Sequence, residues 1–249
     1  MIKFVILAVC VILVILIIRK LSFKRKLKKA KKNKPALPEN FTVTAHAGSM
    51  GTKDNTYNSV YIGAQNADII ELDVKFAKDG TPVLAHTEVK NDSVLLKDAF
   101  ALIAERKNLM ANLDIKDKDE RLIRILALAR AYGIKDRIFF TGVEEEYVDT
   151  IKENCPGIAY YLNVNVDKKE RKNAEYINSL VEKVRDCGAV GINMNKKGIS
   201  KELIAAFREN GLLVSVWTVN SEKEILKMLS LAPDNITTRK PDFVMELVK

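Results

Sequence analysis

Two histidines are all that this chain of 249 residues contains, and each stands where a short apolar run gives way to a polar loop. His46 ends the run in "TVTAHAGSM", and His86 ends "PVLAH" just before Thr87 and Glu88. Between them, "DIIELDVKF" carries Glu71 and Asp73 two residues apart. An extended backbone turns both carboxylates to one face and Ile70, Leu72 and Val74 to the other. "ANLDIK" repeats the arrangement, with Asn112, Asp114 and Lys116 on one face and Leu113 and Ile115 opposite. Converging carboxylates repel unless a cation lies between them, and hard oxygen ligands suit Mg²⁺ or Ca²⁺. A lysine buried beside them needs an anionic partner, either a carboxylate or an anionic substrate. Taken singly, each histidine reads as structural and Asp114–Lys116 as a plain ion pair. Taken together, two imidazoles, three acids and an ammonium group at expected strand ends describe a site for metal-assisted acid–base chemistry.

The elements that must position these residues recur with little irregularity. Apolar, β-branched strands are predicted at 42–46, 68–76, 108–116, 138–143, 158–164, 189–195, 212–220 and 234–238, with one extra short strand at 82–86. Helical patterns such as "DERLIRILALARAYG" and "SKELIAAFRENG" lie between them, and Gly133, Gly188 and Gly211 stand where C-cap glycines are expected. Eight β-α units in about 210 residues predict an α/β fold closed as a (βα)8 TIM barrel, with a doubly wound open sheet as the alternative. In a barrel the chemistry collects at the C-terminal ends of the strands. Trp217, the single tryptophan, ends "LLVSVW" at that rim, either as a core aromatic or as a wall against substrate.

The block "AHAGSMGTKDNTYNSVYIGAQNADIIELDVKFAKDGTPVLAH" resembles the opening of the glycerophosphodiester phosphodiesterase family. That family reads H-R-G, E-N-T, A-D-x-I-E-x-D-V, K-D-G-x-P-V and a second His. The likeness continues through "NLDIK", "VSVWTVN" and "NITTRKP", and so spans the body from residue 42. It implies metal-dependent hydrolysis of glycerophosphodiesters to glycerol phosphate and an alcohol. A divalent ion, Mg²⁺ or Ca²⁺, is then expected on Glu71, Asp73 and Asp114. His46 and His86 become the acid–base pair in either order, with Lys116 on a phosphate oxygen and Trp217 against the substrate. Three departures stand out: Ala47 replaces the family's Arg, Asp114 its Glu, and Arg239 the Asp of I-x-T-D-x-P. Ala47 and Arg239 keep open a degenerate barrel that binds phosphate esters without cleaving them. A lysophospholipase D-like activity on lipid diesters is a further alternative.

The net charge sits at one end. Residues 1–40 hold 11 Lys and Arg against the single acid Glu39, and the remaining body, with 30 basic and 31 acidic residues, is close to neutral. That argues against a nucleic-acid reading based on global charge. The cysteines, three in number and widely spaced, indicate neither disulfides nor zinc. "FVILAVCVILVILII", residues 4–18, is uncharged, and as a helix reaches about 22 Å against a hydrocarbon core of about 30 Å. The ten basic residues from Arg19 to Lys34 argue against a cleaved signal peptide and for a cytoplasmic flank. The expected organisation is a transmembrane anchor at 1–20, a basic juxtamembrane linker at 21–40 facing anionic lipid, and the barrel at 41–249. The expected location is a single-pass membrane protein with a cytoplasmic catalytic domain. The expected substrate is a glycerophosphodiester or lysolipid.

Overall fold

The period-two strands and amphipathic helices of the sequence become βα units in the computed structural model, which describes residues 12–15, 17–18, 21–25, 27–28, 30, 32 and 35–249. The strands are β1 (Thr42–Ala45), β2 (Ile69–Phe76), β3 (Pro82–Leu84), β4 (Met110–Ile115), β5 (Ile138–Val143), β6 (Ala159–Val164), β7 (Gly191–Asn195), β8 (Leu213–Trp217) and β9 (Asn235–Thr238). All but β3 pair in parallel, in the order β1-β9-β8-β7-β6-β5-β4-β2, and β1 pairs with β2 to close the ring. The result is a (βα)8 barrel. The outer helices are α1 (Tyr57–Asn66), α2 (Leu96–Glu105), α3 (Leu122–Ala131), α4 (Val148–Asn154), α5 (Ala174–Asp186), α6 (Lys201–Glu209), α7 (Glu222–Leu231) and α8 (Pro241–Val248).

Side-chain alternation separates two environments. Leu72, Val74, Leu113, Ile115, Phe140, Ile192 and Val214 belong to the main apolar core and are almost wholly buried. A small second cluster, Ile69, Phe139 and Tyr161 with Met110 and Val190 against it, fills the N-terminal end of the strands. Above it, residues on the same strand faces turn polar, which is what lets a packed barrel carry a site at its other end.

Local signals hold at the helix termini. Thr56, Asn173, Ser200 and Ser221 accept backbone N–H groups at the starts of α1, α5, α6 and α7. Gly133, Gly188 and Gly211 follow their helices with φ of 65, 71 and 69°, the left-handed stop expected of them. The antiparallel β3 pairs Val74 with Leu84, and the Ala85 N–H donates to the Asp73 carbonyl at 3.0 Å. That tie carries His86 to the rim beside β2. Cys155 and Cys187 are free and buried, and burial pushes the Cys155 thiol up to about 12.

The expected N-terminal transmembrane helix and single-pass membrane location are corrected here. Among the described residues, no helix is long and apolar enough to cross a membrane. The apolar run is itself short for a hydrocarbon core, and much of it, including residues 1–11, lies outside the described residues. Farther along, Leu27, Ala30, Leu37 and Phe41 pack against the barrel's core. The expected partnership with anionic lipid had rested on that span.

Leu72 separates Glu71 from Asp73 and is 2% exposed. Leu72→Ala is expected to cost about 2–5 kcal/mol of folding stability through the cavity left behind the carboxylate strand. Denaturant titration measures it, and a loss below about 1 kcal/mol contradicts the packing described.

Candidate active site

Register sets the geometry. β2 and β4 align Glu71 with Asn112 and Asp73 with Asp114, so two aspartates stand side by side on adjacent parallel strands. Ligand atoms of Glu71, Asp73 and Asp114 all lie within 4.8 Å of one another. Lys116 bridges the two aspartates, with Nζ 2.8 Å from Asp73 Oδ1 and 2.6 Å from Asp114 Oδ2. Burial opposes the charge on Lys116, but the two carboxylates outweigh it and raise its pKa. Asn55 Nδ2 donates to the second Asp73 oxygen at 2.8 Å.

Glu71 has no lysine. Its Oε2 accepts the Ala47 N–H at 3.1 Å and lies 3.7 Å from His46 Nδ1. Burial pushes its carboxyl up to about 7, with Asp73 and Asp114 adding to the rise and His46 opposing it. Four carboxylates, with Glu144 the fourth, line the pocket against two ammonium groups, Lys116 and Lys118. Lys118 pairs with Glu144 at 2.7 Å. The excess of carboxylates over local cations fits a divalent ion with a preference for oxygen.

His46 follows β1, and its backbone N–H donates to the Thr238 carbonyl at 2.9 Å. Nδ1 lies 2.9 Å from the Ala47 carbonyl. A carbonyl accepts only, so Nδ1 carries the proton in the neutral ring and Nε2 is left with its lone pair. His86 is exposed and lines the same cavity of about 320 Å³. Trp217, 36% exposed, also lines it. The structure therefore brings together in one cavity all seven residues singled out in the sequence.

Several further residues of the site, Asn112 apart, were not singled out. Asn163 and Asn193 hydrogen-bond to each other at 2.9 Å, as do Thr141 and Asn112 at 2.8 Å, forming a polar floor. Lys118, Glu144 and Asn55 are further additions. Their signals were faint: Thr141, Asn163 and Asn193 are polar residues inside apolar runs, and Asn55 sits in the quoted "KDNT". Gly142 holds φ at 71° in an irregularity of the β5–β6 pairing. A Cβ there would lie 2.4 Å from Asp114 Oδ1, so the missing side chain makes room for that carboxylate.

Ala47 is buried, and no guanidinium leaves the backbone there. A guanidinium does stand one residue away. Arg239 Nη1 donates to the Gly48 carbonyl at 3.2 Å, and its fork pairs with both Asp54 oxygens at 2.7 and 2.5 Å. That pairing holds Asp54 below the usual carboxylate range.

Comparison with known proteins gives this geometry a family. The glycerophosphoryl diester phosphodiesterase family model matches residues 95–243. A glycerophosphodiester phosphodiesterase of Caldanaerobacter subterraneus subsp. tengcongensis is 27% identical, over 83% of this chain and 97% of its own. One from Bacillus altitudinis is 22% identical, over 82% and 97%. An Oleispira antarctica phosphodiesterase, solved in complex with the product sn-glycerol-3-phosphate, superposes with a TM-score of 0.70 at 18% identity, covering 85% and 97% of the two chains.

The raised Glu71 carboxyl has a consequence for the metal-free protein. The folded state holds this proton up to about pH 7, whereas an unfolded glutamate releases it near 4.5. Between those values the folded state binds more protons, so stability falls as pH rises. The melting temperature of the metal-free chain is therefore expected to rise as pH is lowered from 8 to 6, and Glu71→Gln should flatten that slope. An unchanged slope in the variant removes Glu71 as its source.

Proposed function

The chain belongs to the glycerophosphoryl diester phosphodiesterase family and is a phosphoric diester hydrolase, and from that premise we propose that it hydrolyses glycerophosphodiesters to glycerol phosphate and an alcohol, using His46 and His86 as base and acid. The observation that carries this reading is the convergence of three carboxylates and both histidines of the chain on one polar cavity.

Glu71, Asp73 and Asp114 would hold a divalent ion, Mg²⁺ or Ca²⁺. When bound, it would polarise the phosphoryl oxygens and offset the charge that grows on them. Lys116 spends two of its three N–H donors on Asp73 and Asp114. The third is left for a phosphate oxygen. His46, with Nδ1 committed to the Ala47 carbonyl, offers Nε2 as the base. It takes the proton of the glycerol hydroxyl next to the phosphate as that oxygen bonds to phosphorus. The bond from phosphorus to the alcohol breaks, and His86 gives the departing oxygen its proton. Water opens the cyclic phosphate with the two histidines in reversed roles. Asn55 and Lys116 keep Asp73 aimed, and Trp217 covers one side of the substrate.

Turnover of glycerophosphocholine, with and without chelator, tests the assignment. His46→Ala and His86→Ala are each expected to lower kcat by about 10²–10⁴-fold, the range for a general acid or base. Their double variant should lose less than the product of the two, since they act as a unit. Glu71→Gln should abolish turnover while leaving the fold intact. Wild-type kcat in either histidine variant makes that residue structural, and full activity of Glu71→Gln under chelation removes the metal assignment.

A further inference from the structure

The catalytic cavity does not end at Trp217. A second groove of about 830 Å³ opens beside it and shares Glu144, Asn163 and Trp217 with the smaller cavity. Its far wall is formed by the loops that follow β6 and β7, carrying Asn165–Lys168 and Asn195–Gly198. The two loops are fastened together. A Cβ on Gly198 would lie 2.8 Å from Val166, Arg171 Nη1 donates to the Lys197 carbonyl at 2.9 Å, and Ser200 Oγ donates to the Arg171 carbonyl at 2.6 Å. The groove is thus a fixed extension of the site.

Its charge is opposite to that of the cavity it continues. Lys168 and Lys197 line it, both exposed, and among the described residues neither has a carboxylate within ion-pairing distance. Arg171 is anchored on the same loop. Of the two acids in the wall, Glu144 is already paired with Lys118 at 2.7 Å, which leaves Asp167 against two ammonium groups. Ionic screening, with a Debye length of about 8 Å at physiological salt, confines this field to what lies in the groove.

A diester has two arms on one phosphorus. With the phosphate over the carboxylates and the glycerol arm in the smaller cavity, the other arm has a way out past Trp217. We propose that this groove receives the leaving alcohol and selects alcohols that carry a further negative charge over cationic amino alcohols. This rests on the hydrolase reading above. A cation stacked on Trp217 is the competing arrangement. With Glu144 taken, it has Asp167 alone as a carboxylate, and it would face two ammonium groups.

The test compares kcat/KM of the full chain on glycerophosphocholine, glycerophosphoglycerol and terminally phosphorylated glycerophosphoglycerol, whose leaving alcohol is glycerol phosphate. The phosphorylated diester is expected to exceed the choline diester by about tenfold or more at low salt, with the gap closing at high salt. Joint Lys168→Glu and Lys197→Glu substitution should reduce that ratio at least tenfold, about the effect of two reversed charges at a semi-exposed site. Equal rates in the wild type, or a ratio indifferent to the double substitution, overturn the proposal. Equilibrium binding of the three compounds to the Glu71→Gln variant reads the groove without turnover. The same order is expected there, and equal affinities count against it. Absent hydrolysis with the binding order intact strikes the hydrolase reading alone.

Discussion

Two aspartates aligned on neighbouring parallel strands are the constraint around which this end of the barrel is built. At 4.8 Å or less, unit negative charges repel by about 3.5 kcal/mol or more for an effective dielectric of about 20. β-sheet register fixes Asp73 opposite Asp114, so the backbone offers no escape. Lys116 answers the pair, because period two returns its side chain to the face of Asp114. It leaves Glu71 unanswered, and that carboxyl keeps its proton to about pH 7. A lone buried ion pair is weak support for a fold, since desolvation offsets most of its attraction. Three carboxylates around one lysine are therefore better understood as a ligand set than as a stabilising device.

Much of the surrounding structure accommodates that cluster. β5 breaks its regular pairing at Gly142 to clear Asp114. Asn55 adopts φ of 57° and spends its amide on Asp73. Non-glycine residues pay about 1–2 kcal/mol for left-handed backbone, and Met50 in the same loop adopts φ of 54°. These left-handed residues lie between His46 and α1, in the loop that borders the carboxylate cluster.

What could be read in the sequence was whatever a strand's alternation decides. Glu71, Asp73, Asp114, Lys116 and the two histidines lie on or next to strands, so counting by twos placed them on one rim. The eight-fold repeat followed from apolar patterning, and register added the closeness. Asn55 lay in the stretch that resembles E-N-T, but its contact with Asp73 depended on a loop dihedral that strand alternation does not set. The pairing of Lys118 with Glu144 joins the loops after β4 and β5, and Arg239, from the loop after β9, meets Asp54 in the loop after β1. Such contacts appear only once the ring closes. The N-terminal run misled because apolar composition was read as a span, although its length already fell short of a bilayer.

The Asp54–Arg239 contact shows how an exposed ion pair can matter without contributing much stability. Half-exposed pairs are worth about 0–1 kcal/mol, so this one does little to hold the barrel closed. Its geometry does more. The fork of Arg239 holds Asp54, the same guanidinium holds the Gly48 carbonyl, and the Arg239 carbonyl accepts the Met50 N–H at 2.8 Å. The Arg239 N–H is bonded in turn to Asn220 Oδ1 in the loop after β8. One residue thus pins three points of the strained loop that begins at His46. With Ala47 presenting no charge of its own, the nearest guanidinium is engaged in holding backbone, and Lys116 remains the ammonium group beside the carboxylates. In the proposed reaction, recognition of phosphate at this end of the barrel would then fall to Lys116 and to a cation held by the three acids, so their mutual spacing would set where the phosphate sits.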